Sequence, residues 1–155
     1  MNILLNGWFL LKTMRTLLIL GLILIAQFAS GQNDMLERYQ WRNRLILLFG
    51  SKSESSVEKQ ITELEKDPEG ITDRDLLIFH IGGDKVSFIG KSSNPVLSAD
   101  RLRDRYNKEE HEFRYILIGK DGGVKLNKKE FVPNEELYSL IDAMPMRQRE
   151  MRERK

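Results

Sequence analysis

The 155-residue chain contains no cysteine. This absence excludes disulfide bonds, thiol catalysis, cysteine-ligated metals and a mature N-terminus anchored through a lipidated cysteine. Histidine is almost as scarce, since His80 and His111 are the only two, and neither has a second ligand at helical or hairpin spacing. The sequence therefore predicts no metal site. No cofactor and no catalytic residues are expected either, because no spacing in the chain matches a phosphate-binding loop or a hydrolase triad.

The chain after Gly31 also lacks a net charge. The chain has 25 basic and 23 acidic residues, and the two basic residues in excess, Lys12 and Arg15, both precede Gly31. The remainder is balanced, with the two signs interspersed. This balance argues against nucleic acid as the main partner.

The first 31 residues have the pattern of a secretory signal peptide. Arg15 precedes an apolar run at Leu17–Ala26, and small residues stand at Ala29 and Gly31. The pattern predicts a signal peptide over residues 1–31 that is cleaved after Gly31. The expected localisation is therefore secreted or periplasmic.

Two alternatives remain open for this segment. Met14 is the true start if the residues before it are an extension of the gene. The segment is a membrane anchor if it is not cleaved, because Leu17–Phe28 is short for a span but could extend. Contact with a membrane is expected only in the second case.

A polar lead-in over residues 32–40 is followed by a regular alternation of apolar segments and helical patterns. Strands are predicted at Leu45–Phe49, Leu76–Ile81, Val86–Ile89, Phe113–Ile118 and Val124–Leu126. Helices are predicted from Ser55 (a capping box with Glu58), Ser98 and Pro133–Glu136, with stops at Asp67–Gly70 and Pro145. The order predicts an α/β domain over residues 41–146, with one mixed central sheet and helices on both faces, and a charged tail over residues 147–155.

A thioredoxin-like fold ends in the same way, with a hairpin and then a helix. Its redox site would place cysteines between the first strand and the first helix, here Gly50–Ser56, where serines and charges stand instead. Glu109–Phe113, where such enzymes carry a cis-proline, contains no proline. The pattern indicates a thioredoxin-like scaffold without redox chemistry, since a fold does not imply a function.

Three pieces of the chain together go beyond this pattern: Trp41–Phe49, Ile118–Leu126 and Ile141–Met151. Over about Trp41–Arg152 the chain resembles the family of domain of unknown function 4174, found in secreted bacterial proteins and in vertebrate sushi-repeat-containing proteins and coiled-coil domain-containing protein 80. The resemblance implies a thioredoxin-like three-layer sandwich, related to peroxiredoxins, without an established activity.

The candidate binding residues lie in these three pieces. They are Arg42, Arg44, Lys120, Asp121 and Arg147. The main hypothesis is a secreted binding or matrix- or envelope-associated module whose partner is an unknown protein or extracellular surface component. Its oligomeric state is left open.

An enzyme that needs no cysteine is the alternative hypothesis. Its site would lie near the junction of the first strand and the first helix, with Ser51, Ser53 and Arg44 as candidates, because sites in such sheets gather at the carboxyl ends of strands.

The end of the chain carries a separate structural prediction. Pro145–Gln148 is expected to pack against the domain, with Met146 buried and Arg147 near Asp142. Burial of Met146 is expected to contribute more stability than the arginine.

Overall fold

The computed structural model describes residues 35–51, 54–90, 96–108 and 113–154. The predicted signal peptide over residues 1–31, Ser53 and His111 lie outside the described residues.

The centre of the molecule is a mixed five-stranded sheet. Its strands are β1 (Arg44–Phe49), β2 (Leu76–Gly82), β3 (Lys85–Phe88), β4 (Arg114–Ile118) and β5 (Val124–Lys128), in the order β3-β2-β1-β4-β5. β1 is parallel to β2, and the other three pairings are antiparallel. β1 is the central strand and every one of its residues is buried. A strand covered on both faces has the continuous apolar sequence from which it was predicted.

In the part of the chain that the structure describes, five α-helices connect and follow these strands. They are α1 (Ser55–Glu65), α2 (Pro68–Asp73), α3 (Ala99–Tyr106), α4 (Asn134–Asp142) and α5 (Pro145–Glu153). A short 3-10 turn at Glu37–Tyr39 precedes β1.

Helices cover both faces of the sheet. Side chains alternate between these faces along each strand, so each face buries its own set of residues. On one face Ile46 and Leu48 pack in a common core with α1 and α4, which contribute Val57, Leu64, Leu137 and Ile141. On the other face Phe79 contacts the ring of Tyr39, with centroids 5.4 Å apart, and α3 buries Leu102. The predicted helices on both faces are therefore present.

The helix ends test the capping predictions. The capping box at Ser55 is wrong, because Ser55 is the first helical residue and Glu54 is the N-cap, with no side-chain capping bond. Asp67 follows the end of α1 as predicted. It is also the N-cap of α2, because its side chain accepts a hydrogen bond from Gly70 N at 2.8 Å. Ser98 caps α3 as predicted.

Both predicted hairpins are present, β2–β3 and β4–β5. The second one turns at Gly122, whose φ of 80° lies in the region that glycine adopts without steric cost. Asp121 supports this turn by accepting a hydrogen bond from Gly123 N at 3.1 Å.

Candidate functional site

A cleft of about 550 Å³ opens at the carboxyl ends of the parallel strands β1 and β2. The two ends coincide because Phe49 pairs with Ile81 in the parallel register. The cleft is lined by Phe49, Gly50, Ser51, Glu54, Ile81, Gly83, Asp100, Arg103 and Asn107. In open α/β sheets this edge is the usual position of ligands.

Two glycines shape the cleft. Gly50 has a φ of 132°, and a Cβ there would lie 2.8 Å from Val57 Cγ2. Gly83 has a φ of 56° and faces open space. His80 holds the loop below, because its Nε2 lies 2.9 Å from the Gly50 carbonyl oxygen. His80 is therefore a buried, hydrogen-bonded residue of the sheet.

The cleft has an apolar floor and a charged rim. Phe49 and Ile81 form the floor and are almost fully buried. On the rim, Arg103 lies 3.4 Å from Asp100, and its side chain is 16% exposed whereas that of Asp100 is 86% exposed. Among the described residues that line the cleft, the rim carries two carboxylates, those of Glu54 and Asp100, and one guanidinium. This excess of negative charge attracts a cationic group.

The enzyme hypothesis placed Ser51, Ser53 and Arg44 together. Ser51 lines the cleft, but Arg44 begins β1 and Ser51 follows its end. A six-residue strand separates the two by about 16 Å. The grouping of Arg44 with this site is therefore wrong, and the reason is that β1 places it at the opposite edge of the sheet.

A second assembly lies at that opposite edge. Since β4 is antiparallel to β1, with Ile118 opposite Leu45, the chain beyond β4 reaches the amino end of β1 and brings Lys120 there. Arg44 Nη1 donates to Glu150 Oε2 at 3.1 Å, and Lys120 Nζ lies 2.8 Å from Glu150 Oε1. We call Arg44, Lys120, Arg147 and Glu150 the Glu150 cluster.

Arg147 joins this cluster to the end of α2. Its Nε donates to Asp142 Oδ1 at 3.1 Å, its Nη1 donates to the Asp73 carbonyl at 2.8 Å, and its Nη2 pairs with the Asp73 carboxylate. It also lies 3.9 Å from Glu150. The predicted proximity of Arg147 to Asp142 is confirmed.

The relative burial of the two neighbouring side chains is the reverse of the prediction. Arg147 is 2% exposed, whereas Met146 is only partly buried. The reason is that Pro145 does not simply end a helix but begins a new one, α5, which turns Arg147 towards Asp73. The charged segment expected as a tail from residue 147 is thus helical up to Glu153.

Ionisation of the cluster is shaped by opposing effects. Burial disfavours the charged form of Glu150, but hydrogen bonds from Lys120 and Arg44 outweigh it and lower its pKa. Burial likewise opposes the charge of Asp142, and hydrogen bonds from Arg74 and Arg147 lower its pKa overall. Burial alone would lower the pKa of Arg147, but its hydrogen bonds to Asp142 and Asp73 outweigh this effect and raise the pKa.

The lowered pKa of Glu150 predicts a pH-dependent stability. A carboxylate with a depressed pKa stabilises the fold above its unfolded value, about 4.3, and loses this contribution as the pH falls through the folded value. We expect the wild type to exceed Glu150→Gln in free energy of unfolding most above about pH 5, and the gap to shrink below about pH 4. Urea denaturation of both proteins across this range measures it. A gap that stays constant across this pH range would contradict the prediction.

The two remaining candidates lie outside the cluster. The Arg42 side chain is exposed. Asp121 pairs with Lys125 at 2.6 Å across the turn, and the hydrogen bond from Lys125 lowers its pKa despite partial burial. Sequence reasoning thus found three of the four cluster members but missed Glu150, whose position in a charged segment resembled that of a solvated residue.

Within residues 35–51, 54–90, 96–108 and 113–154, no three histidine, aspartate or glutamate side chains are grouped so as to hold a metal ion. In the same ranges no helix has the length and apolar character needed to cross a membrane.

The chain is similar to known proteins at two levels, a family of sequences and a solved structure. Residues 35–150 match the model of a family described as a domain of unknown function (DUF4174). No curated protein matches the chain. Among solved structures, the chain is similar to the reduced 2-Cys peroxiredoxin of Plasmodium vivax, with a TM-score of 0.54 and 16% identity, covering 74% of this chain and 84% of that one.

The structural similarity concerns the fold alone, since the identity is low. It confirms a thioredoxin-like α/β fold with a mixed sheet. The chain itself has no cysteine, so this fold is present here without thiols.

Proposed function

We propose a function for this chain from the premise that it belongs to the DUF4174 family, which is defined by a domain of unknown function. The proposed function is that of a secreted or periplasmic binding module without thiol chemistry, whose partner is a protein or an extracellular surface component. The partner presents a basic segment to the cleft at the carboxyl ends of β1 and β2.

The observation that carries this proposal is the cleft. It is large enough for two or three side chains, it has an apolar floor at Phe49 and Ile81, and Gly83 leaves its edge open. Recognition sites typically combine such a floor with a few placed polar groups. Glu54 and Asp100 supply acceptors for a lysine or an arginine.

A peptide titration tests the proposed binding. The probes are a tetrapeptide, acetyl-Gly-Lys-Lys-Gly-amide, and its counterpart with two glutamates. In a heteronuclear NMR titration of the isotope-labelled protein, we expect the lysine peptide to shift the amide signals of Gly50 and Gly83 and the glutamate peptide to leave them unchanged. Equal responses to both peptides would contradict a preference for cations.

A charge-reversal pair provides the control. Asp100→Lys is expected to weaken binding of the lysine peptide by about tenfold, because it replaces an acceptor on the cleft rim with a like charge. Glu69→Lys makes the same change of charge at an exposed position of α2 outside the cleft. It should change the dissociation constant less than about twofold. Similar losses in both variants would indicate a nonspecific charge effect.

Export is the second part of the proposal and is supported by the segment from Arg15 to Gly31. We expect the protein recovered from a periplasmic or culture fraction to begin at Gln32. Intact-protein mass spectrometry of that fraction measures the start. A recovered chain that still carries Leu17–Phe28 would contradict cleavage and favour an anchor.

The position of Ser51 in the cleft favours one second candidate, a serine-dependent enzyme at the same edge of the sheet. A fluorophosphonate probe, which reacts with activated serines, distinguishes the two candidates. Labelling of the wild type that is lost in Ser51→Ala would support the enzyme. An unlabelled wild type that binds the lysine peptide would support the binding module alone.

A further inference from the structure

We propose that Arg44 and Lys120 form a carboxylate-binding site that the chain's own Glu150 occupies, so that α5 is an intramolecular competitor for carboxylate ligands. The site lies at the opposite edge of the sheet from the cleft, and it does not depend on the function proposed for the cleft.

Arg44 and Lys120 surround the carboxylate of Glu150, and we call these two side chains the socket. The Arg44 side chain is 1% exposed, and its Nη1 and Nη2 lie 3.1 to 3.2 Å from the two carboxylate oxygens of Glu150. Lys120 Nζ approaches Oε1 from another side at 2.8 Å, with its side chain 10% exposed. Two-pronged donation by a guanidinium matches the geometry of a carboxylate.

The socket is anchored independently of α5. Arg44 Nη1 also donates to the Arg74 carbonyl at 2.9 Å, and Lys120 Nζ pairs with Asp75 at 2.8 Å. Arg44 Nε is buried and has no hydrogen-bond acceptor among the described residues. Both cations therefore have partners other than Glu150, and Arg44 Nε is a donor left for another acceptor.

The helix that fills the socket is held mainly by charge. Arg147 is its one fully buried residue, and its ion pairs with the domain involve Arg147, Glu150 and Arg154. Two residues, Ala143 and the extended Met144, join it to α4. A helix without a fully buried apolar side chain gains little from the hydrophobic effect, so its position depends mainly on these ion pairs.

Glu150→Ala empties the socket in the full-length chain and tests the inference. The first probe is sodium acetate, compared with sodium chloride at equal ionic strength, and the readout is the thermal midpoint. We expect acetate to raise the midpoint of Glu150→Ala by about 5 °C at ten times its dissociation constant. The wild type should show no such gain, because its own carboxylate fills the site. A gain in Glu150→Ala no larger than in the wild type would overturn the proposal.

Two further variants make the result specific. Glu150→Ala combined with Lys120→Met should lose most of the acetate response, whereas Glu153→Ala, an exposed glutamate on the same helix, should behave as the wild type does. If Glu150→Ala does not fold, Glu150→Gln keeps the side-chain volume and should show a smaller gain of the same sign. No gain in that variant would also overturn the proposal.

A pair of peptides distinguishes a free carboxylate from one carried by a protein. The probes are acetyl-Gly-Glu-Gly-amide and acetyl-Gly-Gln-Gly-amide, added to Glu150→Ala. A midpoint gain with the glutamate peptide alone assigns the site to an acidic side chain of a partner. A gain with acetate but with neither peptide assigns it to a small free carboxylate. Equal gains with both peptides would contradict recognition of the carboxylate.

Discussion

Truncation after Met144, which removes Pro145–Lys155, should lower the free energy of unfolding by about 3–5 kcal/mol. The reason is that Arg44 is almost completely buried and loses the carboxylate of Glu150. A buried charge left without its partner costs far more than an exposed pair gains. Asp73 and Asp142 lose Arg147 in the same step. Urea denaturation of the truncated and complete proteins measures the loss.

A second truncation separates the cluster from the rest of the helix. Ending the chain after Glu150 keeps Glu150 and Arg147 and removes the pairs that the half-exposed Arg154 makes with Asp73 and Asp75. Pairs exposed to this degree contribute at most about 1 kcal/mol, so the loss should be small. If neither truncation changed stability, the segment would not be structural, and partner binding would be the better account of it.

Gln60→Leu should lower the free energy of unfolding by about 2–4 kcal/mol, although leucine is the more hydrophobic residue. Gln60 is fully buried in α1, and its amide forms two bonds to the backbone of one residue, Val132. Nε2 donates to the Val132 carbonyl at 2.9 Å, and Oε1 accepts from Val132 N at 2.8 Å. Leucine would leave both buried backbone groups without these partners.

The matched control is Gln148→Leu, an exposed glutamine in α5. The same chemical change there should alter stability by no more than about 0.5 kcal/mol. Thermal and urea denaturation of both variants compare the two. Equal effects at the two positions would contradict the role assigned to the bonds with Val132.

The two charged regions of the domain differ in what binding would require. In the cleft, Asp100 is largely exposed and its pair with Arg103 is long, at 3.4 Å, so a ligand can reach its carboxylate from solvent. In the Glu150 cluster the cations are already engaged, so an external carboxylate must replace an internal one. Three of the candidate binding residues, Arg44, Lys120 and Arg147, belong to this second kind of site.

The apolar runs were sufficient to locate the strands of the sheet and to predict the α/β class. Leu45–Phe49 reads as continuous apolar sequence because β1 is buried on both faces, and the hairpin at Gly122 follows from a backbone preference that acts within a few residues. The absence of cysteine likewise needed no structure to exclude thiol chemistry. These features depend on local geometry or on composition, which the order of residues contains directly.

Tertiary structure alone decided which charged residues meet. Arg44 and Glu150 are 106 residues apart in the chain, and Gln60 and Val132 are 72 apart. The antiparallel pairing of β4 with β1 brings Lys120 to the amino end of β1. Ser51 follows the other end of β1, so the length of this strand separates it from Arg44. A charged side chain has the same sequence signature whether it is solvated or paired, because its partner is set by strand order and register. This is why Arg147 was found near Asp142 while its burial was not foreseen.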